Sequence, residues 1–592
     1  MKIPLFILIC ASALSAQAAG KALDRIVSAD ADAFLSVRDI SELRESWEEH
    51  PLALDLAEAS LGDVFEQLFA RAGDEGGRSG FDEAMDDFGL DAAELFELFP
   101  GQAGLALYNL PDLFLGESGR LDLAVLAEFS ASAERLDELM RIQFERNAKA
   151  QRELNPEIEH ELIEERFMGE TLYFDEVFDG EETYIEDGYA LVDGIFILAG
   201  PEERLRTLVE SIKAGGDRPM ARSIAYQRAR EESGPVDAMF FLNFESFLPE
   251  VNERLLQGTM PEAMAMFGVS GQSLNTALAL GALQAFSLDF KISERGIRSH
   301  SAVIYREKSG LLGLLAYDEG ALPPADFVPE SAHSSTVSLF DMSEMFARLE
   351  ALLAVASPST PALLNIQLQQ IKTKAGIDLR SALLENFGTE FVTFSTMPED
   401  RPDGKVPAPA EQVYVLEIKD AAALSGALEA LKDMVPGVRA QIKTREFAGE
   451  VIHSFTGPAD PAAPHVPAYD FSYVVTRTHL IFNIGRVGTV QAVLSSMQSN
   501  DSGFWQLEET RALVDRISRP GAVSRSYTDF GQAASILLES IIDASLLAGG
   551  DVSRDALEMP GSVDLPWHFV TETYEVRDGL FSQLILLRKE GS

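Results

Sequence analysis

Cysteine is almost missing from this chain: its 592 residues include one, Cys10. Cys10 lies in an apolar run from Ile3 to Leu14 that follows Lys2 and leads to Ala16-Gln17-Ala18, the pattern of a Sec-type signal peptide over residues 1–18, cleaved near Ala19. Bulky Ile9 precedes Cys10, where a lipoprotein site wants a small residue. The mature chain is therefore expected to lack cysteine, which excludes disulfides, thiol nucleophiles and Cys-ligated zinc. Stability outside the cytoplasm must then come from ordinary apolar cores, for which the chain is long enough.

Positive charge is also scarce. Lys and Arg total 48 against 95 Asp and Glu, so the formal charge of −47 becomes −48 once Lys2 leaves with the leader. A polyanion repels phosphate backbones, so nucleic acid is excluded as a partner, and the acids read as a solvated surface suited to salt-screened surroundings. Long apolar runs are missing beyond the leader. The best stretches, "SGLLGLLAY" and "SILLESIIDASLLAG", are short or broken by polar residues, so no membrane span is expected.

Catalytic signatures are missing too. The eight histidines form no His-x-x-x-His or His-Glu-x-x-His spacing, which leaves a helical zinc site without local support. Around Ser270 the sequence "GVSGQS" places Gly271 one position too early for a nucleophile elbow, and no Gly-x-x-x-x-Gly-Lys loop occurs. No catalytic residue and no organic cofactor is assigned.

What the chain has in abundance is itself. A unit of nearly half its length recurs from about Leu322: "RFMGETLYF" with Phe167, Gly169 and Glu170 echoes "EFAGEVIHSF" with Phe447, Gly449 and Glu450. Asp39, Ser41 and Glu42 recur as Asp341, Ser343 and Glu344, 302 residues on, each group standing where a strand meets a helix that needs an N-cap and a capping-box partner. "GLDAAELFELFPG" matches "GIDLRSALLENFG" without a gap. Alternating strands such as "LDLAVLAEF" and "EQVYVLEIK", helices such as "PEERLRTLVESI" with Pro201 in the first turn, and closing hairpins, the second turning at Asp578-Gly579, repeat in order. The expected fold class is α+β, with two tandem, divergent copies of an antiparallel-sheet-plus-helices unit at 19–310 and 326–592 and a Pro-containing linker at 311–325.

The opening "ADAFLSVRD", the helix "ISELRESWEEHPLALDL", then "FMGETLYF" and "YALVDGIFILAG" resemble large secreted bacterial proteins grouped under a domain of unknown function. The resemblance implies an envelope location and a fold, and no activity.

Two segments that the copies do not share are candidate sites. The loop "FDEVFDGEETYIEDG" offers the hard oxygen ligands calcium prefers, with Asp175, Asp179, Glu181 and Glu186 as ligands, although its spacing is not that of an EF-hand and the second copy has a Pro and Ala loop there. Met260, Met264, Met266 and Phe267 form a Met-rich segment of the kind that lines adaptable apolar grooves. Glu170 and Glu450 are matched carboxylates beside matched glycines and read as turn residues. The expected function is an exported, non-catalytic binding or structural protein of the bacterial cell envelope with a protein, glycan or lipid partner; the alternative is an exported carboxylate-dependent hydrolase acting on a polymer.

Overall fold

Alternating apolar strands joined by tight turns can satisfy their backbone only by pairing with near neighbours, and a computed structural model of the chain shows this arrangement twice. It describes residues 22–58, 92–115, 122–130, 132–257, 269–357, 359–396, 411–434, 437–457, 470–499, 503–534 and 565–589. The expected leader, with Cys10, and the groove residues Met260, Met264, Met266 and Phe267 lie outside them. The chain divides into two compact units: the first runs to Val251 and resumes at Leu283–Arg306, and the second holds Asn252–Ala282 and the described residues from Glu307 onward.

Among the described residues the first unit has ten strands: β1 (Ala33–Val37), β2 (Ala103–Leu107), β3 (Leu123–Glu128), β4 (Glu159–Phe167), β5 (Glu170–Phe178), β6 (Thr183–Val192), β7 (Ile195–Gly200), β8 (Ala238–Asn243), β9 (Leu283–Ser293) and β10 (Gly296–Tyr305). All pairs are antiparallel, in the order β4-β5-β6-β7-β3-β2-β1-β8-β9-β10. The second unit has β11 (Ala332–Leu339), β12 (Phe387–Thr396), β13 (Glu411–Ile418), β14 (Lys443–Phe447), β15 (Glu450–Thr456), β16 (Asp470–Val475), β17 (His479–Ile484), β18 (Ala522–Asp529), β19 (Trp567–Val576) and β20 (Gly579–Arg588). Their order is β14-β15-β16-β17-β13-β12-β11-β18-β19-β20, again antiparallel throughout. Adding ten to each strand number of the first order produces the second. With helices packed on these sheets the fold is α+β.

Each unit carries its own core. In the first, Val37, Ile40, Leu43, Phe99, Ala127, Leu136, Tyr189 and Phe196 bury together; in the second, Val328, Val392, Phe394, Val413, Val415, Ile481, Val490, Trp505 and Ile585 do so. Ala325, at the end of the stretch read as a linker, is 2% exposed within that second core, and Leu322 packs against it. The Pro-containing segment is thus packed structure over part of its length.

Asp39 and Asp341 cap their helices as expected, accepting the backbone N–H of Glu42 at 3.0 Å and of Glu344 at 2.9 Å. The glutamates pair with arginines, Glu42 with Arg38 and Glu344 with Arg348, and the Asp341 N–H donates to the Ala316 carbonyl at 2.8 Å. Two sequence readings shift by a residue. Pro201 is the N-cap of Glu202–Ala214 rather than within its first turn, and the last hairpin pairs Val576 with Gly579, so its central residues are Arg577 and Asp578.

One device recurs where β3 and β13 end. Glu128 lies over Gly101, where an added Cβ would meet its Oε2 at 2.2 Å, and accepts the backbone N–H of Gln102 at 3.0 Å. Glu417 lies over Gly388, again 2.2 Å from an added Cβ, and accepts the N–H of Thr389 at 3.0 Å. In both units a glycine makes room for a carboxylate that satisfies the backbone beside it.

Candidate functional site

The "FMGE" and "FAGE" echoes are hairpin turns. Met168 and Gly169 have φ of 51° and 92°, and Ala448 and Gly449 of 51° and 83°, while Phe167 pairs with Glu170 and Phe447 with Glu450. Two consecutive positive φ values are what a type I′ turn requires. Glu170 forms an ion pair with Lys213 at 2.5 Å. These matched glutamates are thus turn residues, as the sequence suggested.

The candidate metal centre lies further along the same strands. The register of β5 against β6 shifts between Phe174 and Glu176, so Asp175 sits at a bulge opposite Glu186 and Asp187, a feature that re-aims a side chain. Close approach there needs Gly188, since an added Cβ would meet Phe174 Cδ1 at 2.5 Å and the Tyr173 carbonyl oxygen at 2.6 Å. From β4, His160 brings Nδ1 to 2.9 Å from Asp175 Oδ1, with the two side chains only 5% and 8% exposed. Glu186 completes a group of three whose donor atoms all lie within 4.8 Å of one another. Burial raises the Asp175 pKa, His160 lowers it, and Asp187 and Glu186 raise it again.

Of the four expected calcium ligands, then, the structure brings together Asp175 and Glu186. Asp179 instead accepts the N–H groups of Glu181 and Glu182, both at 2.9 Å, and shapes the turn, leaving Asp179 and Glu181 outside the cluster. The residue that sequence reasoning missed is His160. It stands on the neighbouring strand, where strand pairing rather than local spacing makes it a partner.

A second feature is shared by the units and diverges between them. Tyr173 stacks on Tyr189 with centroids 4.7 Å apart, and Arg141 of the helix Ala133–Leu154 stands over Tyr173 at 4.8 Å. Tyr189 donates to Asp137 at 2.9 Å, and burial and that bond raise its pKa. At the same register of the second unit, His453 stacks on Tyr473 at 4.9 Å, and Lys432 of the helix Ala421–Met434 lies 5.4 Å from the Tyr473 ring. Burial lowers the His453 pKa and the Lys432 charge lowers it further. For Lys432, burial works against the charge, and bonds to Glu429 and Tyr473 outweigh it, so its pKa rises.

Beside Tyr473 the sheet surface opens into an apolar groove of about 560 Å³, lined by Phe391, Tyr414, Leu416, Leu428, Phe482 and Ile484 among others. Its first-unit counterpart is filled. Tyr189 pairs with Leu198, which pairs with Val125, as Tyr473 pairs with Phe482, which pairs with Tyr414; yet Tyr189, Leu198, Ala127 and Phe196 belong to the first core, under Leu136, Met140, Ile40 and Leu43.

No family model matches this chain, and no curated protein matches it either. Solved structures with some similarity include three crystal forms of TP0453. Form IV shares 8% identity over 48% of this chain and 81% of that one at a TM-score of 0.23. Form III shares 9% over 52% and 91% at 0.24, and form I shares 9% over 51% and 88% at 0.23. Among the described residues no helix is long and apolar enough to cross a membrane.

Proposed function

We propose that this chain is an exported, non-catalytic binding protein of the bacterial cell envelope, formed by duplication of one ten-strand unit, and that the second unit takes an apolar ligand in its aromatic groove. The groove is the observation that carries the reading. Its volume of about 560 Å³ lies in the range of small-molecule sites, which are apolar and aromatic with a few polar groups at their margin. Here Tyr473 is in the lining and holds Lys432 and His453 beside it. The equivalent face of the first unit is filled by its own core, so the second copy is the one freed for binding. The leader-like start, the acidic composition and the resemblance to secreted bacterial proteins support export and envelope location. The identical strand order supports duplication.

The hydrolase alternative needs a close carboxylate pair that a polymer can reach. Asp175 and Glu186 are close, but the Asp175 side chain is 8% exposed and already bonded to His160, which makes a poor site for a bulky chain.

The test is fluorescence titration of the mature protein with N-phenyl-1-naphthylamine. Saturable binding at one site is expected, weakened at least tenfold by Phe482→Glu with an unchanged far-UV spectrum. Tyr414→Ser serves as a second variant should Phe482→Glu unfold the unit. Absent or non-saturable binding, or full binding by both folded variants, would sink the groove.

A further inference from the structure

We propose that His160, Asp175 and Glu186 form a binding site for one divalent transition-metal ion of the zinc class. The site lies within the first unit and does not depend on the groove. Its three donors come from three adjacent strands, β4, β5 and β6, so the sheet itself holds them. Scaffold strands hold such groups more rigidly than loops do.

Donor chemistry decides the class of ion. Calcium and magnesium take oxygen ligands, whereas an imidazole with carboxylates suits zinc and its neighbours. The three donor residues leave further coordination positions to water, as open zinc sites do. Charge agrees with this. Two carboxylates face one imidazole within 4.8 Å, and two of the three side chains are less than a tenth exposed. A dication would offset both negative charges where burial has weakened their solvation.

The rest of the loop is a built-in control. Glu181 and Glu182 are exposed and engaged through Asp179 in the turn, so they share the local acidity and not the geometry.

The experiment is calorimetric titration of the mature protein with Zn²⁺ in moderate salt, which suppresses diffuse binding to a polyanion. One stoichiometric site is expected. Glu186→Gln and His160→Gln, each checked for fold by circular dichroism, should weaken it at least tenfold, while Glu181→Gln leaves it unchanged. Calcium at about 1 mM, the level that fills extracellular calcium modules, should not displace Zn²⁺. Saturating Zn²⁺ should also raise the melting temperature of the wild type and not that of Glu186→Gln. No stoichiometric binding, equal binding by both folded variants, or displacement by calcium would each overturn the assignment.

Discussion

The two carboxylate-over-glycine pairs allow a stability experiment with an internal comparison. Neither Gly101 nor Gly388 has a left-handed backbone, so alanine is tolerated by φ and would by itself stabilise by about 0.4–1 kcal/mol through the unfolded chain. Any loss must come from the carboxylate. At Gly388 the atoms in the way are Oε2, Cδ and Cγ of Glu417 at 2.2, 2.4 and 2.7 Å, the end of a flexible side chain. It can swing aside, but then abandons the N–H groups of Thr389 and Glu390, which it holds at 3.0 and 3.3 Å. A hydrogen bond to a charged group contributes about 1.5–3 kcal/mol, so Gly388→Ala should cost about 1–2 kcal/mol net. At Gly101 the Cβ of Glu128 itself stands 2.7 Å away, and that atom moves only with its strand. Overpacking of about 1–3 kcal/mol adds to the lost bond from Gln102, and the net cost should be about 3–4 kcal/mol.

Urea denaturation measures both, and tryptophan fluorescence separates the units, since Trp47 lies in the first and Trp505 and Trp567 in the second. The decisive arm is a double-mutant cycle. Glu417→Ala removes the intruding atoms, so Gly388→Ala on that background should be neutral or stabilising. A cost that stays the same on both backgrounds, or a Gly101→Ala loss no larger than that of Gly388→Ala, refutes the reasoning.

Two further outcomes follow from buried ionisable groups in the second unit. His568 is 2% exposed; burial lowers its pKa to about 4, Lys589 and Arg516 acting in the same sense and Asp529 against, and the exposed Glu509 at 3.6 Å does not reverse it. The unfolded chain, titrating near the ordinary 6.5, binds the proton first, so this contribution is complete above that pH and is lost as pH falls toward 4. Between pH 7 and 5 the loss should be about 2 kcal/mol, and urea melts of His568→Gln should show a slope shallower by that amount; equal slopes would show that the imidazole is not buried neutral. Glu572, 1% exposed, accepts from Arg525 at 2.6 Å and from the N–H of Arg519 at 2.8 Å. Glu572→Gln should cost about 2–4 kcal/mol, part of it recovered by adding Arg525→Met, because the half-buried guanidinium, its side chain 21% exposed, loses its charge partner; additive losses in the same melts would contradict this.

How much of this was legible in the sequence depended on distance along the chain. Caps, hairpins and alternating strands are local, so Asp39, Asp341, the Met168-Gly169 turn and most strands were readable. Strands β8 and β18, each hydrogen-bonded to the first strand of its unit, were not. "AMFFLN" is apolar nearly throughout and "AVSRSYTD" is largely polar, so neither has the clean alternation of a half-buried strand. The sites failed for the same reason. Gly101 was visible, but Glu128 lies 27 residues on and Glu417 lies 29 after Gly388, separations that only strand pairing closes. His160 joined Asp175 through a register, and the bulge in β6 that sets Glu186 and Asp187 opposite Asp175 leaves no mark in composition.

The internal comparison also explains why a groove belongs to one unit and not the other. At the positions where the first unit has Val125, Ala127 and Leu198, the second has the larger Tyr414, Leu416 and Phe482, with only Leu480 smaller than its counterpart Phe196, aligned by pairings of β13 with β17 that match those of β3 with β7. Larger side chains on a sheet face hold a covering layer away from it unless that layer shrinks to match. Over the first face lie Leu136 and Met140 from a helix of 22 residues; beside the second lies a helix of 14, contributing Leu428. The aromatic wall stays half-buried instead of being sealed. The stacked ring pair beneath a helical cation persists in both, with His453 where the first unit has Tyr173. The two units thus share their fold-bearing contacts and differ in the cover at one place, and an exposed apolar patch of this kind is a mark of interaction sites.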